Sequence, residues 1–198
     1  MKITLLGNCV NKALTWYIQQ LDKDFDVCYI WTDIGMGGFA KRNRFGGKLT
    51  PTITDTEEAK KRLSESDVII YHPIRPTRIK YFNYEDIKQY KTSKCKLIPI
   101  GVFFLDKVDP IRDNDEDKYI EKTGLIGIKE RAEKHNMEIK IHEIIEKYEV
   151  DELATNNNYH PKVLFMLELI REICNLTGWK FYSDEQYDQY MKEKYPFG

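Results

Sequence analysis

The chain has 198 residues, with 31 lysines and arginines, 32 aspartates and glutamates, and a formal net charge of −1. This near-neutral balance argues against broad, sequence-independent nucleic-acid binding, which needs many basic side chains on one face. The charge is unevenly spread: residues 1–100 carry 17 basic and 11 acidic side chains, giving +6, and residues 101–198 carry 14 and 21, giving −7. A basic first half still permits a local phosphate or other anion site.

With 41% hydrophobic and 32% charged residues, the composition is that of a soluble globular protein. The length suits a single domain over residues 1–198. The longest apolar stretch, 97–105, contains Pro99 and Gly101 and falls short of the roughly 20 residues that cross a bilayer. The N-terminal segment turns polar by Asn8, so we expect neither a secretory signal nor a membrane span.

The cysteines are far apart in the sequence and form no C-x-x-C pair: Cys9, Cys28, Cys95 and Cys174. Neither a dense disulfide framework nor a zinc-finger spacing fits this pattern, and no metal is expected. The sequence therefore predicts reduced thiols in a cytoplasmic protein.

The first half of the chain predicts strands separated by helices. Apolar runs predict strands at 3–6, 27–31, 68–71 and 97–104, and helical periodicity predicts helices at 9–21 and 56–65. Between them, residues 32–54 hold five glycines and Pro51 and predict a long irregular loop. The alternation predicts βαβ units and an α/β fold with a mainly parallel sheet flanked by helices.

The second half predicts mostly helix. Helices are expected near 118–135, 142–153, 161–176 and 183–194, after an acidic loop at 113–117. Gly178 is a typical C-terminal end for the third of these helices. His135 and His142 lie in charged helical segments, so we expect both on the surface.

The segment Gly7-Asn8-Cys9 lies where the first strand turns into a helix, which is a favourable position for a nucleophile. Glycine permits a tight turn and a close approach of substrate. Free N–H groups at a helix start stabilise an oxyanion or lower a thiol pKa. Cys28, in the middle of a strand, is expected to be inert core. The alternative, in which Cys9 is only a small buried residue facing the sheet, stays open.

A nucleophilic cysteine needs a base and a group that orients the base. His72 and His160 each precede a proline, which restricts the preceding residue to extended conformations at the end of an element. Asn157 lies three residues before His160, an offset at which a carboxamide can orient an imidazole in a Cys–His–Asn arrangement. A helix cap at 156–158 is compatible with the same residues.

Basic side chains that follow the third strand suit a phosphate group: Arg75, Arg78 and Lys80, just after His72. The planar fork of arginine matches phosphate oxygens, and the prolines between them limit the entropy lost on binding. A second basic group occupies the glycine-rich segment: Lys41, Arg42, Arg44 and Lys48. A solvated surface is the alternative for both groups. No Walker motif and no G-x-G-x-x-G follows the first strand, which disfavours a classical NTPase or dinucleotide enzyme.

Two of these motifs together resemble known families. An early Gly7-Asn8-Cys9 and a late Asn157-x-x-His160-Pro161 before a long helix resemble the SGNH/GDSL hydrolase plan. More closely, the chain resembles the WcbI-type capsular polysaccharide biosynthesis enzymes, which open with a strand followed by Gly-Asn-Cys. The family's glutamine after that motif is Val10 here, and the aspartate of the wider plan is Asn157. The resemblance implies an SGNH/flavodoxin-like core with a helical C-terminal half.

The same resemblance implies an acyltransferase that binds coenzyme A or acetyl-CoA and acetylates a sugar hydroxyl in capsule polysaccharide biosynthesis. It implies that Cys9 lies at the thioester end of the donor, with His160 as its base and Asn157 in the orienting position. Two versions stay open: Cys9 attacks the thioester and carries the acyl group, or Cys9 only lines the thioester crevice and His160 deprotonates the sugar hydroxyl for direct attack. The residues expected to contact the acyl donor are Gly7, Asn8, His72, Arg75, Arg78 and Lys80. Two alternatives remain: a cysteine-containing SGNH-like esterase that uses water, and a non-catalytic flavodoxin-like binding domain.

Overall fold

The computed structural model describes residues 1–7, 9–31, 42–45, 48–73, 82–101, 124–148, 150–153 and 161–192. The described residues of 1–99 form one compact unit, and those of 100–195 form a second. The single domain expected from chain length stays a prediction.

The first unit is built on a sheet. Its strands are β1 (Lys2–Gly7), β2 (Asp26–Trp31), β3 (Arg42–Phe45), β4 (Lys48–Ile53), β5 (Val68–Tyr71) and β6 (Lys96–Pro99). Their order across the sheet is β3-β4-β2-β1-β5-β6. Every neighbouring pair is parallel except β3 with β4, which is antiparallel. The predicted α/β class with a mainly parallel sheet is confirmed.

Helices connect the strands of this unit: α1 (Cys9–Gln19), α2 (Thr56–Glu65) and α3 (Tyr84–Tyr90). The predicted helices at 9–21 and 56–65 are confirmed. Helix α3 was not among the predicted elements. Asn83 begins it with a capping box, in which the Asn83 side chain accepts from the Asp86 N–H and the Asp86 carboxylate accepts from the Asn83 N–H. Such a reciprocal pair satisfies two N–H groups that a helix start leaves without intrahelical partners.

Both faces of the central strand β1 are buried, as a parallel sheet requires. Leu6 packs on one face with Ala59 and Leu63 of α2 and Ile87 of α3. Side chains alternate between faces along a strand, so Ile3 and Leu5 point to the opposite face, where neither is exposed. Apolar contact on both sides fixes β1 as the middle of the core.

The irregular loop expected at 32–54 is wrong for 42–45 and 48–53, which are β3 and β4. Local sequence disfavours strands here because of Gly46, Gly47 and Pro51. Pairing with neighbouring strands nevertheless stabilises β3 and β4. Thr52 pairs with Tyr29 of β2, and Arg42 of β3 pairs with Pro51 of β4. The partners of β4 in β2 are distant in sequence, and the partners of β3 lie on a separate strand, so apolar periodicity gives no sign of either pairing. The rest of the loop, 32–41 and 46–47, lies outside the described residues.

The second unit is helical in the part of the chain that the structure describes. Its helices are α4 (Gly124–Lys134), α5 (Ile141–Glu146), α6 (Val150–Leu153), α7 (Val163–Thr177) and α8 (Asp184–Lys192). The predicted helical C-terminal half is confirmed. The acidic loop at 113–117 and the strand end at 102–104 lie outside the described residues. Among the helices described, none has both the length and the apolar composition needed to cross a membrane.

Helix α7 is the centre of the second unit. Nine of its residues are buried, among them Phe165, Leu169 and Ile173. Gly178 ends it in the left-handed conformation at φ 74°, and its N–H donates to the Cys174 carbonyl at 2.8 Å. The predicted helix end at Gly178 is therefore confirmed, and the reason is that a left-handed cap favours glycine.

The surface position expected for His142 is wrong, since only 6% of the residue is exposed. It shares the buried side of the short helix α5 with Ile141, Ile144 and Ile145. Charged neighbours in the sequence concealed this face, because the helix is too short for a clear apolar period. His135 is exposed, as predicted.

A polar network joins the amino ends of β1 and β2 to α2. The Arg62 side chain, 11% exposed, pairs with the Asp26 carboxylate at 2.6 Å. It also donates to Thr4 Oγ1 at 3.1 Å and to the Ile3 carbonyl at 3.2 Å. Thr4 Oγ1 lies 2.7 Å from Ser66 Oγ. The Arg62 guanidinium thus donates hydrogen bonds to oxygen atoms of both β1 and β2, at the end of the sheet opposite Gly7.

We expect Arg62→Met to lower the free energy of unfolding by about 2–3 kcal/mol, because it leaves buried oxygen atoms without their charge-assisted donor. Urea denaturation followed by circular dichroism measures the loss. Lys61→Met is the matched control: Lys61 is 76% exposed and pairs with Glu65 only at 3.9 Å, so its loss is below about 1 kcal/mol. Equal losses in the two variants would contradict the assigned role of Arg62.

Candidate functional site

The strand order reverses at β1. The chain moves from β1 to β2 and β4 on one side, then returns to β5 and β6 on the other. In open parallel sheets such a reversal leaves a crevice outside the carboxyl ends of the strands, where ligands bind. In this sheet the corresponding position is where Gly7 ends β1 and where His72 follows β5. The topology therefore brings the predicted nucleophile turn and one predicted histidine to the same edge of the sheet.

Gly7 and His72 are in close contact at this edge. Gly7 has φ 144°, in the region that favours glycine. A Cβ atom there would lie 3.1 Å from His72 Cγ and closer still to His72 Cδ2. It would also lie 2.8 Å from Asn11 Nδ2. The imidazole and the carboxamide thus occupy the space that any other residue at position 7 would fill.

The carbonyl oxygen of Leu6 joins three elements. It accepts the backbone N–H of His72 at 3.2 Å and also accepts Asn11 Nδ2. Since Leu6 belongs to β1, Asn11 to α1 and His72 follows β5, one acceptor fixes the start of the helix and the end of the next strand together. Asn11 is not exposed and His72 is 3% exposed.

The next carbonyl along β1 is also held by a side chain. The Tyr29 hydroxyl of β2 donates to the Gly7 carbonyl oxygen. The end of β1 is thereby held by a hydrogen bond from β2 on one side and by a hydrogen bond from His72, which follows β5, on the other. Two such hydrogen bonds keep the end of a strand in one geometry, and a reacting centre needs fixed geometry.

Cys9 is the first residue of α1, two residues beyond Gly7. The predicted strand and helix are confirmed, while Asn8 between them and the Cys9 side chain lie outside what the structure describes. The first turn of α1 contains no acidic residue, so no carboxylate there offsets the positive end of the helix dipole. This backbone setting favours a thiolate or an oxyanion.

The remaining predicted site residues lie outside the described parts of the chain: Asn8, Arg75, Arg78, Lys80, Asn157 and His160. Of the second basic group, Arg42 and Arg44 lie on β3 and Lys48 begins β4, while Lys41 is outside the described residues. The structure therefore brings together Gly7 and His72, with Cys9 beginning the adjacent helix. Within the described ranges, no three His, Cys, Asp or Glu side chains form a group able to hold a metal ion.

The other three cysteines are buried thiols. Burial raises the pKa of Cys28 to about 11, with Arg62 acting in the opposite direction, and raises the pKa of Cys174 to about 12. Burial also raises the pKa of Cys95. The expectation that Cys28 lies in the core is confirmed by its burial, and its inertness stays a prediction that the raised pKa supports.

A cleft of about 500 Å³ lies in the second unit. Its walls include His142, Lys129 and the ion-paired Lys140 and Glu143, whose charged atoms are 3.1 Å apart. Of the predicted site residues that the structure describes, neither Gly7 nor His72 is among its lining residues.

Asn11 and Tyr29 are site residues that the sequence reasoning missed. A signal for Asn11 was available, because it lies three and seven residues before Leu14 and Ile18 on the buried face of α1. A polar residue on such a face needs a hydrogen-bond partner. Tyr29 lies in an apolar strand and gives no comparable signal.

Comparison with family models, with curated proteins and with solved structures gives no match.

We expect Gly7→Ala to lower the free energy of unfolding by about 2–4 kcal/mol, because strain at a positive φ adds to overlap with His72 and Asn11. Gly178→Ala is the matched control: its φ is also positive, at 74°, but nothing lies within 4 Å of the added Cβ. The control should lose about 1 kcal/mol. Chemical denaturation measures both, and equal losses would contradict the crowding at Gly7.

We expect iodoacetamide at pH 8 to modify Cys9 well before the buried cysteines. Thiols with pKa values of about 11 and 12 are about one part in a thousand or less ionised at that pH. Their reaction should accelerate about tenfold for each unit of rising pH, because the thiolate is the reacting form. Timed labelling with peptide mass spectrometry measures this order, and Cys28 modified as fast as Cys9 in the folded protein would contradict it.

Proposed function

We propose that the chain is an acyltransferase that moves an acetyl group from acetyl-CoA to a sugar hydroxyl, with Cys9 at the reacting centre. The observation that carries this proposal is the connection between β1 and α1, where the strand order reverses. Hydrogen bonds to the carbonyl oxygens of Leu6 and Gly7 hold the end of β1 in place there. Gly7 lets the His72 ring and the Asn11 carboxamide pack closely against this turn, and Cys9 begins the helix two residues later. The resemblance to the WcbI-type enzymes supports the choice of acyl donor and acceptor.

The proposed chemistry starts from the place of Cys9 as the first residue of α1. A Cys9 thiolate attacks the thioester carbonyl and forms an acetyl-cysteine, and the coenzyme A thiolate leaves. N–H groups at the start of α1 stabilise the oxyanion that forms in this step. The sugar hydroxyl then attacks the acetyl-cysteine, gives up its proton to a base, and releases the Cys9 thiolate. Each step exchanges one acyl bond for another, so no further reagent is needed.

The phosphates of the donor need cationic partners near the same edge of the sheet. Arg75, Arg78 and Lys80 follow β5 and His72 in sequence, so we propose that they bind the phosphate groups of coenzyme A. Asn8 lies between Gly7 and Cys9 in the sequence, and we propose that it also contacts the acyl donor. In this assignment His160 and Asn157 act as the base and its orienting group.

Intact-protein mass spectrometry after mixing with acetyl-CoA tests the covalent step. We expect one added acetyl group that is absent from Cys9→Ser and present in Cys95→Ser, since Cys95 is a buried thiol with a raised pKa. An adduct that survives in Cys9→Ser would overturn the role of Cys9. Thermal-shift titration with coenzyme A tests donor binding, and no shift at millimolar ligand would overturn the acyltransferase proposal.

Arg75→Ala tests the phosphate contact. We expect it to weaken coenzyme A binding about tenfold or more, because it removes a charge-assisted bidentate contact worth about 1.5–3 kcal/mol. Lys94→Ala is the control, because Lys94 is an exposed lysine of the same unit. Hydrolysis of a simple ester without coenzyme A, unaffected by Arg75→Ala, would instead support the SGNH-like esterase. A Cys9 that resists thiol reagents would support a non-catalytic binding domain.

A further inference from the structure

We propose that the cleft between α4 and α5 is a second ligand site, and that it binds a small primary amine that also carries hydroxyl groups, such as an amino sugar. The cleft belongs to the second unit, and the proposal does not depend on the acyltransferase assignment or on Cys9. Two observations carry it. The wall of the cleft contains a buried histidine with an unpartnered nitrogen, and it contains two carboxylates that are not in ion pairs.

One face of each helix forms the cleft. Lys129 and Glu133 lie four residues apart on α4, and His142 and Glu146 lie four residues apart on α5. Residues at this spacing share a helix face, so each helix presents one side to the cleft. The volume of about 500 Å³ falls within the range of about 300–1,000 Å³ that is typical of small-molecule pockets.

His142 is the buried polar residue of this wall. It is 6% exposed, and it shares the buried side of α5 with Ile141, Ile144 and Ile145. Its Nδ1 atom is buried and has no hydrogen-bond partner among the described residues. Such an atom costs folding free energy and calls for an explanation. An aliphatic side chain would suit the isoleucine neighbours better, so the explanation lies in the cleft that the imidazole lines.

The buried nitrogen also indicates which edge of the ring a ligand meets. In a neutral imidazole one nitrogen carries a hydrogen and the other accepts. Buried donors without a partner are rarer than buried acceptors without one, so we assign the hydrogen to Nε2. Within the described ranges no hydrogen bond involves Nε2, and of the two ring nitrogens only Nδ1 is buried without a partner. His142 therefore offers the cleft a donor, which a hydroxyl or ether oxygen can accept.

The charged residues of the wall favour a cationic ligand. Lys140 and Glu143 neutralise each other, with their charged atoms 3.1 Å apart. The other carboxylates of the wall are Glu133 from α4 and Glu146 from α5, and neither is in an ion pair with any part of the chain that the structure describes. Lys129 supplies one positive charge against these two. The wall thus keeps an excess negative charge, which attracts an ammonium group.

A hydroxylated amine matches both kinds of group. Its ammonium binds to the carboxylates of Glu133 and Glu146, and one of its hydroxyl oxygens accepts from His142 Nε2. Ala132 and Met137, each 5% exposed, give the wall an apolar part for the carbon atoms of the ligand. A nucleotide would be repelled by the excess negative charge, and a plain diamine would leave the His142 donor without an acceptor.

Isothermal titration calorimetry with matched probes tests this ligand class. We expect glucosamine or galactosamine to bind saturably, and glucose and N-acetylglucosamine to bind about tenfold more weakly or less, because they lack the ammonium. 1,4-Diaminobutane, which has ammonium groups but no hydroxyls, should also bind about tenfold more weakly. No saturable binding of either amino sugar at high millimolar concentration, or equal binding of all the probes, would overturn the proposal.

Two variants of His142 separate a binding role from a structural one. His142→Leu should raise the melting temperature by about 2–4 °C, because it removes a buried nitrogen without a partner. It should also weaken amino-sugar binding by about tenfold. His142→Gln, whose side chain also ends in an N–H donor, should retain more of the binding. A His142→Leu protein that melts at a lower temperature and binds like the wild type would overturn the assigned role.

The carboxylates provide a test that stands even if the His142 variants do not fold, since Glu133 and Glu146 are exposed. Glu133→Gln and Glu146→Gln should each weaken amino-sugar binding about threefold and leave glucose binding unchanged. Glu130→Gln is the matched control, because Glu130 is an exposed carboxylate of α4 that does not line the cleft. Equal binding in the wild type and all three variants would overturn the assigned ammonium position.

Discussion

The first unit depends on the close approach of two side chains to a glycine. The His72 ring and the Asn11 carboxamide fill the space beside Gly7, and both residues reach the same Leu6 carbonyl oxygen through their N–H groups. A side chain at position 7 would separate β5 from β1 or displace the first turn of α1. The lack of a Cβ atom at Gly7 therefore determines where the candidate site lies. The imidazole of His72 and the carboxamide of Asn11 occupy the space that this atom would fill.

The two ends of the central strand are held by different chemistry. At the amino end, Arg62 binds oxygen atoms of β1 and β2 with a charged side chain that spans several partners. At the carboxyl end, Tyr29 and His72 donate neutral hydrogen bonds to successive carbonyls. Charge-assisted bonds are the stronger kind, so the end that carries no candidate chemistry contributes more to holding the strands. The carboxyl end is left with groups whose hydrogen bonds a ligand can rearrange.

Local sequence signals predicted the elements whose stability is local. The β1–α1 turn is an apolar run that ends in glycine before a helical period, and Gly178 ends α7 as an isolated glycine would predict. Strands β3 and β4 were missed because Pro51 and the glycines disfavour strands locally, while β4 takes its parallel partner β2 from an earlier part of the sequence. Helix α3 was missed although Asn83 and Asp86 have the spacing of a capping box. His72 was predicted at the end of a strand, but its contact with Gly7 requires β5 to lie beside β1, which only the topology decides.

The edge strands of the sheet bear on self-association. Along the described strands, β3 and β6 are the outermost, and each has only four residues. Strand β6 begins at the exposed Lys96 and ends at Pro99, and β3 contains Arg42 and Arg44. Short edges that carry basic residues or proline are poor templates for another strand, because they offer few free backbone groups and repel a second copy of the same edge. Neither edge of the described sheet therefore offers a long, uncharged strand on which a fibril could begin in a concentrated solution.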